Sequence, residues 1–103
     1  MILSQKNTFS LDITAAKKKW FLLDFFYKDF KLYARNSQKV FEKTDCRLVE
    51  SRRYEGMSDP SDSSILFLIT CNNSSKGCLS SGYGIYVETD VIDFILSLKR
   101  TDL

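Results

Sequence analysis

The run Ile65-Leu66-Phe67-Leu68-Ile69 is apolar without interruption and is bounded on both sides by polar turn residues. Its length suits a β-strand, and its lack of polar alternation predicts a central strand covered on both faces. The segment Asn72-Asn73-Ser74-Ser75-Lys76-Gly77 behind it reads as a hairpin loop. A returning strand is expected from Cys78 to Val87, with Leu79, Tyr83, Ile85 and Val87 on one parity and Ser80, Gly82 and Gly84 on the other. Strands joined by so short a loop must be antiparallel. A glycine track such as Gly82 and Gly84 marks close approach of another backbone or an aromatic ring.

The flanking elements are read from periodicity and end signals. Residues 1–7 form a loose lead-in, after which Thr8 or Ser10 caps a helix over residues 9–19. Phe9, Ile13 and Ala16 share one face of it, Asp12 suits its positive end, and Lys17, Lys18 and Lys19 its negative end. Trp20–Tyr33 is dense in aromatics and reads as one or two strands, although Leu22, Leu23 and Phe26 also fit a helical stripe. Residues 45–55 alternate in part, with Cys46, Leu48 and Tyr54 on one parity. Glu50 and Arg52 interrupt that parity. A last helix starts at Thr89 or Asp90 and carries Val91, Ile92, Phe94, Ile95 and Leu98 on its apolar face.

Helix, strands, helix in 103 residues leaves room for one domain, 1–103. The expected fold is α+β: an antiparallel sheet of about four or five strands, with the N-terminal and C-terminal helices packed on one face. Fourteen aromatics in every hundred residues suffice for a core. A net charge of +2 is too weak to point to nucleic acid or an anionic membrane. No apolar stretch is long enough to span a bilayer, and the start lacks the order of a signal peptide, so the expected compartment is the cytoplasm.

Chemistry is constrained by what is missing. The chain has no histidine, which excludes Ser-His and Cys-His nucleophiles and histidine metal sites. Cys46, Cys71 and Cys78 are an odd count, expected as reduced, buried thiols; the alternative is a Cys71–Cys78 redox pair across the hairpin. Lys17–Lys19 followed by Trp20 and Phe21 has the composition of a nucleic-acid contact, but a helix end and a small core use the same residues. Arg52 and Arg53 precede hydroxyls and turn amides at Gly56, Ser58, Ser61, Ser63 and Ser64, a set able to hold a phosphate. Glu55, Asp59 and Asp62 offer oxygen ligands without metal-loop spacing, and Asp59 and Asp62 are ordinary turn formers. The candidate ligand-binding set is therefore Arg52, Arg53, Ser58, Asp59, Asp62 and Ser63, with no catalytic residue, metal or cofactor assigned.

The stretch Arg53-Tyr54-Glu55-Gly56-Met57-Ser58-Asp59-Pro60-Ser61-Asp62-Ser63-Ser64-Ile65-Leu66, with Lys76-Gly77 and Gly82-Tyr83-Gly84-Ile85-Tyr86 behind it, carries a resemblance. From about Arg52 to Val87 the chain resembles a small bacterial family commonly labelled phosphoribosylpyrophosphate synthetase. What the resemblance implies is membership of that family rather than the labelled reaction. A synthetase of that name needs ATP and ribose-phosphate sites in a much larger two-domain α/β enzyme. This chain has neither an acidic pair beside a glycine loop nor a Gly-rich turn opening a helix.

The leading reading is a non-enzymatic binding or interaction module, taking a protein partner or a small anionic ligand. Its rival is a small enzyme or sensor for a phosphorylated ligand, with Arg53 as anion clamp and Asp59 or Asp62 as acid or base. A homodimer is the third option.

Overall fold

The computed structural model describes residues 3, 8–35, 37–54, 64–72, 75–82 and 89–101. In chain order these form α1 (Phe9–Lys18), β1 (Leu23–Lys28), β2 (Lys31–Ala34), β3 (Val40–Phe41), a 3-10 turn (Lys43–Asp45), β4 (Cys46–Tyr54), β5 (Ser64–Cys71), β6 (Ser75–Gly82), α2 (Thr89–Leu96) and β7 (Lys99–Arg100). The strands make one seven-stranded sheet in the order β3-β2-β1-β6-β5-β4-β7, curled into a half-barrel. This corrects the expected small antiparallel sheet of four or five strands. The sheet is mixed, because β1 runs parallel to β6 and β7 parallel to β4.

The helices also lie differently from the expectation. Phe67, Ile69 and Cys71 of β5 join Phe25, Leu32, Phe41, Leu48, Leu79 and the apolar face of α2 in the larger core. Leu66 and Leu68, on the other parity, join Leu3, Ala16 and Phe21 in a second cluster, under α1. The helices therefore cover opposite faces of the sheet, not one. The unbroken apolar run of β5 is the local consequence: both faces of that strand are buried. Parallel strands need a long crossover, and α2 supplies the one from β6 to β7.

Local chemistry explains most element ends. Thr8 caps α1, its Oγ1 accepting from the Leu11 N–H at 3.3 Å. At the other end the Phe21 N–H donates to the Ala16 carbonyl and the Trp20 N–H to the Lys17 carbonyl, a Schellman motif that folds buried Phe21 onto buried Ala16. Strands β1 and β2 occupy the aromatic stretch, which closes the helical alternative there. Their two-residue turn, Asp29-Phe30, has positive φ at both positions (50° and 63°), as the right-handed twist of a tight hairpin demands. Lys99 and Arg100 do not extend the last helix; they form β7 on the edge of β4.

In β4 the register against β5 shifts between Leu48 and Glu50, making Val49 the extra residue of a bulge. Ahead of it, Cys46 and Leu48 face the α2 side. Beyond it, Glu50, Arg52 and Tyr54 oppose Leu68, Leu66 and Ser64, and so face α1. The interrupted alternation of the sequence is this change of face.

Gly77 lies within β6, not in a hairpin loop, and pairs with Leu23 of β1. A Cβ there would lie under 3.0 Å from the Leu23 carbonyl oxygen, the Leu23 Cβ and Phe25 Cε2. Close backbone approach thus occurs at Gly77; Gly84 lies outside the described residues. Gly77→Ala is expected to cost about 1–3 kcal/mol, since two backbones must move apart. An unchanged urea midpoint would contradict this packing.

Candidate functional site

Lys17, Phe21, Leu22 and Asp24 are drawn together by the turn from α1 into β1. With Ile13, Leu23, Arg35, Cys78 and Ser80 they line an open cleft of about 600 Å³. Arg35 follows β2 and is held over the cleft by its N–H, which donates to the Asp24 carbonyl at 2.7 Å. Its Nε lies 3.4 Å from Asp24 Oδ2, and its guanidinium sits 4.8 Å from the centroid of Phe26. Phe26 stacks in turn on Tyr33, centroids 5.3 Å apart. Lys17 has no ion-pair partner among the described residues. The cleft thus combines apolar walls with two cations and one carboxylate.

Trp20 directly precedes the lining residue Phe21 in sequence and does not itself line the cleft. It occupies the left-handed position of the Schellman turn, φ 73°, where glycine is usual, and its side chain is 72% exposed. A bulky residue there costs on the order of 1 kcal/mol. Trp20 and Phe21, adjacent in the sequence, part in the structure: Phe21 is buried and Trp20 lies in solvent.

Cys78 closes the cleft floor. Burial pushes its thiol up to about 11, the Asp24 charge adds to this and Lys17 opposes it. The thiol stays protonated near neutral pH and acts there as a packing group, not a nucleophile. All three cysteines are free and buried. Cys71 and Cys78 do not face each other: Cys78 opposes Leu68 on the α1 side, whereas Cys71 lies on the α2 side beside Cys46.

The anion site expected from the sequence is only partly within view. Ser58, Asp59, Asp62 and Ser63 lie outside the described residues, as does Glu55, and so does the center of the segment that carries the family resemblance. Arg52 and Arg53, adjacent in β4, point to opposite faces and do not form one clamp. Arg53 opposes Ile65 and is exposed. Arg52 Nη1 donates to Asp12 Oδ2 at 3.3 Å, and its guanidinium lies 4.9 Å from the Tyr54 ring centroid.

Asp12, assigned by sequence to the helix dipole, is fully buried. Its carboxylate also accepts from the Tyr54 hydroxyl, while Glu50 accepts from the Leu3 N–H at 2.8 Å. Burial raises the Tyr54 phenol well above its ordinary value, and the hydrogen bond to Asp12 raises it further. This network ties α1 to the sheet. Its signal in the sequence was an aspartate on the same helical face as Ile13 and Ala16, matched by an arginine on the apolar parity of a strand.

Among the described residues, no three cysteine, aspartate or glutamate side chains are grouped so as to hold a metal ion. No helix among them is long and apolar enough to cross a membrane. Comparison of the chain with protein-family models, curated proteins and solved structures returns no match in any of the three.

Proposed function

We propose that the domain is a binding module for a small amphipathic anion, an apolar body carrying a carboxylate or phosphate head. The observation that carries this reading is the cleft between α1, β1 and β6. Its volume of about 600 Å³ falls within the usual range for small-molecule sites, which are mostly apolar with a few placed polar groups. Ile13, Phe21, Leu22 and Leu23 supply the apolar contact. Lys17 and Arg35 supply charge-assisted donors for the head, and the Ser80 hydroxyl a neutral one. Trp20, one residue before Phe21, supports the same reading, because its positive φ is held at an exposed aromatic and backbone strain clusters at sites of use.

The only tryptophan is thus a built-in reporter. Titration with decanoate and with decyl phosphate is expected to shift Trp20 emission saturably. Decanol, which lacks the charge, should bind more weakly. Lys17→Gln should weaken the two anions roughly tenfold and leave decanol unaffected, the loss expected for one charged hydrogen bond. No saturable change with either anion would refute the proposal, and equal affinity for decanol would remove its charged half.

A further inference from the structure

At the far end of the sheet, Cys46 opens β4 and Cys71 closes β5, directly opposed in register. Their Sγ atoms are 3.2 Å apart. The neighbouring pair fixes the kind of position they occupy. The Asn72 N–H donates to the Asp45 carbonyl at 3.1 Å, so Asp45 and Asn72 form the hydrogen-bonded pair and Cys46 and Cys71 the non-hydrogen-bonded one. At such positions the Cα atoms approach to about 4.5 Å, within the span that a disulfide bridges. The Asp45 carboxylate accepts from the Asn72 amide and the Glu42 N–H, and its charge adds a smaller contribution to keeping Cys71 protonated.

The two thiols are not equivalent. Cys46 lines a separate cavity of about 380 Å³, and Cys71 does not. Lys43, Arg47 and Lys99 also line this cavity, with no carboxylate among the lining residues. Its entrance therefore favours anions. Cys71 keeps its proton, first because it is hydrogen-bonded to Cys46 and then because it is buried. Both thiols are buried, Cys46 2% and Cys71 7% exposed, so the cavity, which Cys46 lines and Cys71 does not, assigns Cys46 as the attacking thiol and Cys71 as the one placed to resolve the product.

We propose that Cys46 and Cys71 are a redox-active dithiol, oxidised by small anionic disulfides that enter through the cavity lined by Lys43, Arg47 and Lys99. Cys46 gives up its proton to solvent, and its sulfur attacks one sulfur of the reagent. The reagent's S–S bond breaks, and one thiolate leaves with that electron pair. Cys71 then loses its proton to solvent and attacks the Cys46 sulfur, forming the Cys46–Cys71 bond and expelling the second thiolate. Both leaving groups take up protons. Two protein thiols are oxidised and one disulfide is reduced to two thiols. Cys78, on the other face of the sheet, takes no part.

The test uses the full chain, fully reduced, with glutathione disulfide as the anionic probe and bis(2-hydroxyethyl) disulfide as the neutral one. Free thiols are expected to fall from three to one, with peptide mapping recovering Cys46 joined to Cys71. The anionic probe should react roughly tenfold faster, and a Lys43→Gln/Lys99→Gln variant should lose that preference. Cys71→Ser should stop at a mixed disulfide on Cys46. A crosslink that includes Cys78, thiols that stay unmodified in the folded chain while the urea-unfolded chain oxidises, or equal rates with the two probes would each overturn the proposal.

Discussion

Phe67→Ala is expected to lower the stability of the domain by about 3–5 kcal/mol, through lost burial and the cavity left behind. Phe67 lies at the middle of β5, between Ser51 of β4 and Leu79 of β6, with no exposed surface. Its ring belongs to the larger core, where neither the sheet nor α2 can collapse freely into the space. A loss of that size is a large share of the total for a single domain, typically about 5–15 kcal/mol. In a chain this short each 1 kcal/mol moves the melting temperature by roughly 4–8 °C. Denaturant titration and calorimetry read the effect directly. An unchanged midpoint would mean that β5 is not the interior strand around which both layers are built.

A loss of similar size is expected from Asp12→Ala, for a different reason. The substitution removes a fully buried carboxylate that accepts from Arg52 and Tyr54, and leaves the Arg52 charge largely out of water. Breaking one side of a buried pair costs about 3–5 kcal/mol, mostly because the surviving charge stays largely out of water with one partner fewer. Replacing both sides should cost much less. In a double-mutant cycle, Asp12→Ala with Arg52→Met is therefore expected to be more stable than the sum of the single losses. Additive losses would show that the contact contributes little. The same network fixes the sign of an alkaline effect. Burial, reinforced by Asp12, holds the Tyr54 phenol in its neutral form, with its folded pKa above the unfolded one. The stability this confers is fully present below tyrosine's ordinary value of 10.0 and is lost as pH rises beyond it. Tyr54→Phe should flatten that decline, as urea midpoints across alkaline pH will show.

What could be read from the residues alone divides along the range of the interactions involved. α1, α2, β4 and β5 carry local signals, such as capping groups, an amphipathic face or an apolar run, and they lie close to where those signals put them. The strands β3 and β7 are two residues long, too short for any periodicity, and exist because an edge was available to them. The two parallel pairings have no turn to announce them. The unbroken run Ile65–Ile69 already implied two covered faces. Placing both helices on one face conflicted with it, because no residue pattern in either helix says which side of a sheet it will meet. The bulge at Val49 was visible only as Glu50 and Arg52 on an apolar parity. The cleft has no motif: Lys17, Asp24, Arg35, Cys78 and Ser80 come from four separate elements or their ends. The Cys46–Cys71 pair depends on register, which cysteine spacing alone does not fix.

The seam at Gly77 bears on the order in which the chain can assemble. β4, β5 and β6 form a meander, each strand pairing with the next in sequence, and β1 pairs with β2 and β2 with β3 in the same way. Only the parallel ladder between β1 and β6, two residue pairs long, joins the two meanders edge to edge. It brings Leu23 to Gly77 across half the chain, and this ladder together with the core shared under α2 must offset the loop-closure entropy of joining the two meanders. Each meander gains its contacts early and cheaply, whereas their union rewards the chain only after both exist. The side chain missing at Gly77 therefore matters beyond packing, because a Cβ there would stand in the way of the one parallel ladder that joins the two meanders among the described residues.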